Sequence, residues 1–440
     1  ALPGENYVCT AWRNPRNKIA IIGFGGAGFC AAEEARRRDP KAVIDVYSDT
    51  DLGPYNPMLT TYYVKGAIPY DAMFPYGSLE EIREKLNLNI YTNRPVTGLD
   101  PANRTLRFAD GSQAGYDNIL ISTGASAVAP PIPGMDLPGV LKMRTVKDAQ
   151  ELKQRLDSGA VKSGLVIGSS WVGIKVVEDL AVRDIPCTLI DGAPWMFYVA
   201  AFEESARRIQ ADLRHKGVSL SFNQMLERIE REDDGRLTAV TKSGDRFTAD
   251  LIAVCIGVRT NTAFLKDSGV AMNRGVVVDK TMATNYPGVY AAGDCCEALD
   301  IQSGTHRNIG VWFNAQKQGR VAGANMTGGR MEFDANVLVN LAHYLDYDFI
   351  SIGDVSACGP EDAVYEYEDA CYYIRGVRNG EGVKCLNVIG SAESNGLLKN
   401  IFIKSIESPA AGIDIRSVCY LKDKGFPDSF IDFLGGKSVD

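Results

Sequence analysis

Short apolar runs alternate with longer helical segments in the first part of the chain. The run IAII at 19–22 is followed by glycines, then by AGFCAAEEARRR, and then by VIDVY. A short apolar run bounded by turn residues indicates a buried strand, and the segment between the two runs has helical character. The pattern therefore predicts a strand–helix–strand unit over residues 18–49.

The turn between this first strand and its helix is rich in small residues, namely Gly23, Gly25, Gly26, Ala27 and Gly28. Three of the glycines have the spacing G-x-G-x-x-G. One such glycine allows the tight turn, one lets the backbone approach a pyrophosphate, and one lets helix and strand pack closely. The N–H groups at the helix N-terminus also attract phosphate. We therefore predict that this unit binds a dinucleotide.

The end of the second strand offers a partner for a ribose. Asp49 stands 21 residues after Gly28, where an acidic side chain accepts a hydrogen bond from a ribose hydroxyl. The neighbouring Ser48 is the alternative for the same contact, and the sequence leaves both open.

A second unit of the same kind begins at residue 163 with SGLVIGSSWVGIKVVEDLAVRDIPCTLID. Its turn comprises Gly168, Ser169, Ser170, Trp171, Val172 and Gly173. Ser170 replaces the middle glycine, and because serine is small the backbone can still approach a pyrophosphate. Asp191, 18 residues after Gly173, would accept from a ribose 2′-OH and repel a 2′-phosphate. This unit therefore predicts NAD(H) rather than NADP(H).

Length, charge and cysteine content narrow the class of protein. The 440 residues suggest about three domains, and the formal charge of −8 argues against nucleic acid as a partner. No apolar run approaches the ~20 residues of a membrane helix, so we expect no membrane span. Residues 1–17 lack an apolar core, so we expect an irregular arm rather than a signal peptide. The ten cysteines form no C-x-x-C and the three histidines are scattered, so we predict no metal site and a cytoplasmic location.

With two nucleotide units in this order, the chain resembles the pyridine nucleotide–disulfide oxidoreductase superfamily of FAD enzymes. DNILISTGASAVAPPIPG resembles the linker that leaves the family's FAD domain, with Thr123 and Gly124 at its centre. ADLIAVCIGVRTNTAFLKDSGV, which contains Gly257, resembles the strand that returns from the NAD domain. NYPGVYAAGDCCEA resembles the second FAD fingerprint, in which Gly293 precedes the ribityl-binding residue, here Asp294.

The resemblance implies an α/β fold with two Rossmann-like dinucleotide-binding domains and a C-terminal α+β domain. It places a discontinuous FAD-binding domain at 1–122 and 250–330 and an NAD-binding domain at 123–249. Residues 331–440 would form an α+β interface domain similar to that of rubredoxin reductases and nitrite-reductase flavin modules. Trp312 stands on the helix that faces the flavin in the family, and it either walls the flavin or packs in the core.

Members of the family that reduce disulfides or peroxides carry a redox cysteine beside the flavin. Here no cysteine occurs between Cys30 and Cys187. Instead PYNPMLTTYYVKG, which includes Pro54 and Tyr55, resembles a stretch of the rubredoxin, ferredoxin and nitrite reductase branch, although the family arginine is absent. The resemblance therefore favours a flavin site without a thiol.

In that branch a lysine near flavin N5 pairs with a carboxylate of the NAD motif. Here Thr61 stands at the lysine position and Lys175 at the carboxylate position, so the charges look exchanged between the domains. Lys175 either supplies the cation that stabilises the reduced flavin, or it is a solvated helix residue of a degraded NAD site. Coulomb energies in a partly buried site are large enough for the first role.

The resemblance implies an FAD-dependent NADH:acceptor oxidoreductase that exchanges electrons, in either direction, with an iron–sulfur or rubredoxin-type carrier or a partner subunit. The alternatives are an NADH oxidase that uses oxygen, and an FAD-bound non-catalytic subunit or interaction module. The C-terminal domain could mediate a homodimer or a hetero-oligomer.

Two sets of cysteines each allow two interpretations. Cys295 and Cys296 either form a vicinal disulfide or fill buried space. Cys358, Cys371 and Cys385 either contribute to a cluster shared with a partner or are buried cysteines of a β-rich domain.

Overall fold

The computed structural model describes residues 16–409 and 412–436, so most of the predicted N-terminal arm lies outside the described residues. In chain order the strands are β1 Lys18–Ile22, β2 Val43–Tyr47, β3 Asn89–Tyr91, β4 Val96–Asp100, β5 Thr105–Phe108, β6 Gln113–Gly115, β7 Asn118–Ile121, β8 Ala125–Ala127, β9 Val140–Lys142, β10 Gly164–Ile167, β11 Cys187–Ile190, β12 Ser219–Ser221, β13 Leu226–Arg231, β14 Leu237–Thr241, β15 Arg246–Ala249, β16 Leu251–Val254, β17 Val258–Thr260, β18 Val276–Val277, β19 Val289–Ala291, β20 Cys296–Leu299, β21 His306–Arg307, β22 Val339–Tyr344, β23 Tyr347–Gly353, β24 Ala363–Glu368, β25 Tyr373–Asn379 and β26 Gly382–Gly390. The α-helices are α1 Gly26–Arg38, α2 Leu59–Lys65, α3 Leu79–Leu86, α4 Val146–Asp157, α5 Trp171–Ala181, α6 Glu203–His215, α7 Trp312–Met326, α8 Asn395–Glu407, α9 Ile415–Asp423 and α10 Asp428–Leu434. Short 3₁₀ turns occupy Tyr70–Met73, Ala263–Leu265, Val355–Ala357 and Ala392–Ser394.

The first central sheet confirms the predicted strand–helix–strand unit at the start of the chain. Its strands run in the order β19-β7-β1-β2-β3, and every neighbouring pair is parallel. Helix α1 lies against α7, which comes from the distant second part of the same unit. The two helices meet through small residues, since a β-carbon at Gly319 would lie 2.2 Å from the carbonyl oxygen of Ala27. This close approach brings the two ends of the discontinuous unit together.

The second central sheet confirms the second predicted unit and extends it. Its strands run in the order β12-β11-β10-β16-β9, all parallel. Strand β16 pairs directly with β10. The sheet therefore reaches Val254, whereas the sequence placed the end of this domain at 249. The predicted boundary between residues 249 and 250 falls just before β16, so it assigned this strand of the second sheet to the other domain.

The C-terminal unit is an antiparallel sheet with helices, which agrees with the predicted α+β domain. Its strands run in the order β22-β23-β26-β25-β24. Its core contains Phe402 of α8 and Phe430 of α10. Phe349 of β23 instead belongs to the core of the second unit, so the C-terminal sheet packs directly on that unit. Within the described ranges, no helix is both long and apolar enough to cross a membrane.

Candidate active site

A cleft opens at the carboxyl ends of the strands of the first sheet, where α/β sheets bind their ligands. Two adjoining cavities form it, with volumes of about 260 Å³ and 1200 Å³. Both cavities are lined by Gly23, Asp49, Thr123, Ser126 and Asn261. The shared residues show that the two cavities are neighbouring parts of one elongated cleft.

Most of the residues predicted to bind FAD line the smaller cavity. They are Gly23, Gly25, Gly26, Ala27, Ser48, Asp49, Tyr55, Thr123, Gly124, Gly293, Asp294 and Trp312. Three others stand behind the wall or beside it. Gly28 holds helix against turn, because a β-carbon there would lie 2.3 Å from the carbonyl oxygen of Gly23. Pro54 immediately precedes Tyr55, and Gly257 has a φ of +110° and accepts a hydrogen bond from the amide of Val128.

The first turn fits the pyrophosphate of FAD. Gly23 has a φ of +92°, and a β-carbon there would lie 2.4 Å from the carbonyl oxygen of Ser122, so only glycine suits this position. Gly25 is the N-cap residue of α1 and makes no side-chain cap, and nothing lies within 4 Å of its β-carbon position. No side chain therefore caps the N–H groups at the start of α1, where Gly25, Gly26 and Ala27 line the cleft.

The structure distinguishes the two candidate partners for the ribose. Ser48 is buried, and its hydroxyl accepts a hydrogen bond from the amide of Thr50 at 3.2 Å. Asp49 is exposed and lines both cavities. The geometry thus leaves the Asp49 carboxylate available to a ligand, while Ser48 shapes the turn.

The cleft also contains a cation that the sequence analysis missed. Arg144 Nη2 donates to Asp294 Oδ2 at 2.6 Å, and its Nε donates to the carbonyl of Ala125 at 3.2 Å. The two charged side chains are 21% and 16% exposed. Arg144 comes from the second unit, just before α4, so the pair crosses between the two nucleotide units. No local spacing marks such a residue in the sequence.

Cys295 and Cys296 lie behind the cleft, and neither lines the smaller cavity. Cys295 Sγ donates to the carbonyl of Ala292 at 3.3 Å, and burial raises its pKa to about 11. Cys296 Sγ donates to Gln318 Oε1 at 3.5 Å, and burial raises its pKa as well. Both are buried free thiols. They fill space behind the Asp294 segment and are not joined as a vicinal disulfide.

The second nucleotide turn keeps the features that NAD(H) needs. Gly168 has a φ of +106°, and a β-carbon at Gly173 would lie 1.9 Å from the carbonyl oxygen of Gly168. The Ser170 hydroxyl donates to the carbonyl of Cys255 at 3.1 Å, and no side chain caps α5. The serine that replaces glycine is therefore turned toward β16, and the N–H groups of α5 remain available to a phosphate.

Asp191 is held at this second turn. Its Oδ2 accepts hydrogen bonds from the backbone and hydroxyl of Ser169, both at 2.6 Å, and its Oδ1 accepts from the amide of Ala193 at 2.8 Å. A carboxylate has about four acceptor positions, so it retains capacity for a ribose hydroxyl. Its role toward NAD(H) stays a prediction that the geometry permits.

Trp171 and Val172 begin α5 and pack away from the glycines. The ring of Trp171 stacks on Phe349 of the C-terminal sheet, with centroids 5.5 Å apart and planes 14° apart. It also contacts Phe197, at 4.4 Å between centroids. Val172 packs against the same core. The start of α5 is therefore anchored to the C-terminal unit.

Lys175 is buried, so the interpretation of it as a solvated helix residue is wrong. Its ammonium pairs with Glu178 one turn along α5, donates to the carbonyl of His343 at 2.9 Å, and lies 4.7 Å from the centre of the Tyr62 ring. Lys65 Nζ contacts the same Glu178 carboxylate at 2.8 Å. One carboxylate thus joins a lysine of α2, in the first unit, to a lysine of α5.

This arrangement bears on the predicted exchange of charges beside the flavin. Thr61 is buried on α2, and neither Thr61 nor Lys175 lines the two cavities. The sequence analysis missed Glu178 and Lys65, although each stands about one turn after the position where the family carries its charge. That Lys175 acts as a cation toward the flavin stays a prediction.

Comparison with known proteins identifies a family and several relatives of this chain. The family described as pyridine nucleotide-disulphide oxidoreductase matches residues 17–319. An NADH oxidase of Methanocaldococcus jannaschii is 28% identical over 321 residues, 72% of this chain and 71% of that protein. The ferredoxin–NAD(+) reductase component of the biphenyl dioxygenase system of Paraburkholderia xenovorans is 29% identical over 309 residues, 70% of this chain and 74% of that protein. In fold, the chain is similar to a water-forming NADH oxidase from Lactobacillus brevis, with a TM-score of 0.82, 23% identity, and coverage of 91% of this chain and 93% of that one.

Proposed function

This chain belongs to the pyridine nucleotide–disulphide oxidoreductase family, and we propose that it exchanges electrons between NADH and an iron–sulfur or rubredoxin-type carrier protein. It is an enzyme, an FAD-dependent NADH oxidoreductase, in keeping with relatives named as NAD(+) reductases and NADH oxidases. Bound FAD supplies the exchange between hydride transfer and single-electron transfer. The protein contributes the position and the electrostatic surroundings of the two nucleotides.

The described residues that line the cleft include no cysteine, which supports a carrier as the partner. Cys30 on α1 is buried, and burial raises its pKa. Cys295 and Cys296, behind the cleft, are buried with raised pKa values as well. A thiol that stays protonated is a poor nucleophile. Electrons that leave this cleft therefore cannot pass through a thiolate among the residues that line it.

The observation that carries the proposal is a cationic surface beside the cleft, formed by Phe313, Lys317 and Lys399, which we call the Phe313 patch. Phe313 follows the cleft residue Trp312 and is 49% exposed. The ammonium groups of Lys317 and Lys399 lie 5.2 Å and 5.0 Å from the centre of the Phe313 ring. Burial and the neighbouring Lys317 lower the pKa of Lys399.

Two ammonium groups around one exposed aromatic ring suit an acidic protein. The chain has a net charge of −8, so most of its surface repels an acidic carrier. A local positive surface therefore orients the carrier as it approaches, because complementary charges attract. The exposed ring supplies the apolar centre that a transient interface needs. The patch adjoins Trp312, so a carrier seated there lies next to the cleft wall.

Stopped-flow kinetics on the holoenzyme test the proposal. After anaerobic reduction by NADH, the enzyme is mixed with an oxidised rubredoxin or an acidic [2Fe–2S] ferredoxin over a range of salt concentrations. We expect flavin reoxidation by at least one carrier, at a rate that falls as salt rises. The variant Lys317→Glu should raise the KM for the carrier by about tenfold and leave NADH reduction of the flavin unchanged. The matched control is Lys85→Glu, which makes the same charge change at an exposed position of α3.

Oxygen is the competing acceptor, and an NADH oxidase is among the relatives. If air reoxidises the flavin at the full turnover rate and neither carrier increases that rate, the protein is an NADH oxidase and the proposal is wrong. Equal effects of Lys317→Glu and Lys85→Glu would show that the Phe313 patch does not receive the carrier.

A further inference from the structure

The segment 191–202, which we call the connecting segment, joins β11 to α6. It begins with Asp191, whose carboxylate accepts hydrogen bonds from Ser169 of the second nucleotide turn. Its backbone contacts the same serine again, because the amide of Phe197 donates to the carbonyl of Ser169 at 3.2 Å. The position of the connecting segment therefore affects both the predicted ribose partner and the turn predicted to hold the phosphates.

Phe197 has a backbone conformation that a bulky residue rarely adopts. Its φ is +55°, in the left-handed region that favours glycine. Its buried ring packs against Trp171 and Phe349, with centroids 4.4 Å and 5.3 Å away. Such a conformation persists only where the surrounding structure holds it in place. The connecting segment therefore needs support from neighbouring elements.

The C-terminal sheet supplies that support through two buried polar side chains. Ser351 of β23 and Asn387 of β26 stand directly opposite each other and are 2% and 0% exposed. Ser351 Oγ donates to the carbonyl of Ala200 at 2.6 Å, and Asn387 Nδ2 donates to the same carbonyl at 3.0 Å. Asn387 Oδ1 accepts from the amide of Phe202 at 2.9 Å. These three hydrogen bonds hold the end of the connecting segment against the sheet.

The polar pair lies beside an apolar pair in the same contact. Phe349 and Ile389 also stand opposite each other on β23 and β26, and both belong to the core of the second unit. A buried amide or hydroxyl is costly unless it is hydrogen-bonded, so apolar residues at 351 and 387 would serve packing alone. A satisfied buried network instead specifies one arrangement of the two surfaces. Ser351 and Asn387 therefore determine which backbone atoms of the connecting segment meet the sheet.

We propose that Ser351 and Asn387 are positioning residues for NADH. They hold the connecting segment so that Asp191 and the second nucleotide turn stay in the arrangement that binds the ADP-ribose half of the cofactor. Without them, Phe197 relaxes toward an ordinary backbone conformation, and the binding-competent arrangement is only partly populated. The apparent affinity falls in proportion to that population. The inference rests on NADH binding at this turn and not on the identity of the electron acceptor.

Calorimetric titration of the oxidised holoenzyme with ADP-ribose, which lacks the nicotinamide, measures this affinity. Asn387→Leu removes both amide hydrogen bonds and keeps the size of the side chain, so we expect the Kd to rise by about tenfold. Ser351→Ala removes one of the two donors to Ala200 and should raise the Kd by about threefold. In anaerobic stopped-flow reduction, half-saturation by NADH should shift by the same factors. The limiting rate of flavin reduction should stay within about twofold of the parent.

The matched control is Gln302→Leu. Gln302 joins the first unit to the C-terminal unit, since its Nε2 donates to the carbonyl of Lys384 at 2.7 Å and its Oε1 accepts from the amide of Asp354 at 3.1 Å. This variant also loses two amide hydrogen bonds, but neither involves residues 191–202, so the Kd for ADP-ribose should not change. Asp191→Ala should raise that Kd, which verifies that the probe binds at the second turn.

An unchanged Kd in Asn387→Leu and Ser351→Ala would overturn the proposal. An equal rise in Gln302→Leu would do the same, because the effect would then come from docking of the C-terminal unit as a whole. An unchanged Kd in Asp191→Ala would remove the premise and the proposal with it. Retention of FAD identifies the folded variants, and Ser351→Ala, the smaller change, decides the question if Asn387→Leu does not fold.

Discussion

Replacement of Glu178 by glutamine should destabilise the protein more than the same kind of replacement at any other carboxylate described above. The Glu178 side chain is 3% exposed, and the two lysines that it contacts are 10% and 29% exposed. Glutamine has nearly the same shape but no charge. The variant would therefore leave two ammonium groups close together, one of them buried, with no counter-charge between them.

The size of the effect follows from this burial. Removal of one partner from a buried ion pair costs about 3–5 kcal/mol, and the exposed fraction of Lys65 lets water recover part of that cost, so we expect about 3 kcal/mol. For a unit of this size, that corresponds to a fall in Tm of roughly 6–12 °C. The double variant Lys175→Met/Glu178→Met should regain most of the loss, because apolar side chains of similar size can replace a buried pair.

Thermal unfolding followed by circular dichroism and by flavin release provides the assay. The matched control is Glu203→Gln, whose partner Arg207 is 69% exposed, and we expect it to stay within about 0.5 kcal/mol of the parent. An unchanged Tm in Glu178→Gln would refute the reasoning. The same set tests Lys175 as the cation of the flavin: because Glu178 balances its charge, Lys175→Met should shift the flavin potential by less than about 30 mV. A larger negative shift would support that role.

Three further predictions concern the turns, the cleft and a buried acid. Gly28→Ala should lose FAD, and Gly173→Ala should keep FAD but be reduced more slowly by NADH, because the added β-carbons would lie 2.3 Å and 1.9 Å from backbone oxygens. The flavin spectrum measures the first effect and stopped-flow reduction the second. The control is Gly396→Ala, whose β-carbon meets nothing within 4 Å. Arg144→Met should weaken FAD retention by at least about tenfold, since a hydrogen bond between charged groups is worth about 1.5–3 kcal/mol. Fluorescence of released FAD measures this retention. Arg155→Met, which breaks an exposed pair with Glu151, should leave FAD retention unchanged. The Asp179 carboxyl has no hydrogen-bond partner among the described residues, and burial raises its pKa well above the usual value. Because this folded-state pKa lies above the pKa of the unfolded chain, stability should fall as pH rises above about 4; urea titrations should show that slope weakened in Asp179→Asn, and an identical slope would contradict the assignment.

The parts of the site that the sequence predicts are those with local causes. Gly23 and Gly168 must adopt positive φ where a strand meets its helix, and that demand appears in the sequence at fixed spacing. Buried parallel strands likewise produce short apolar runs wherever they occur. The two nucleotide turns and their flanking strands therefore follow from the pattern alone.

The parts that the sequence does not predict depend on how the units are placed against each other. Arg144 meets Asp294 across 150 residues of chain, and Glu178 meets Lys65 across 113. Neither pair has a spacing that distinguishes it from solvated charges.

The close approach of α1 and α7 also governs the order in which the chain can fold during synthesis. The sheet that begins with β1 gains its edge strand β19 only at Val289–Ala291, and α1 finds its neighbour only when Gly319 and Gly323 have been made. The inserted second sheet, complete at Val254, leaves the ribosome earlier. The first 120 or so residues of the nascent chain therefore stay incompletely folded while the second unit folds. Flavin can bind only late in translation.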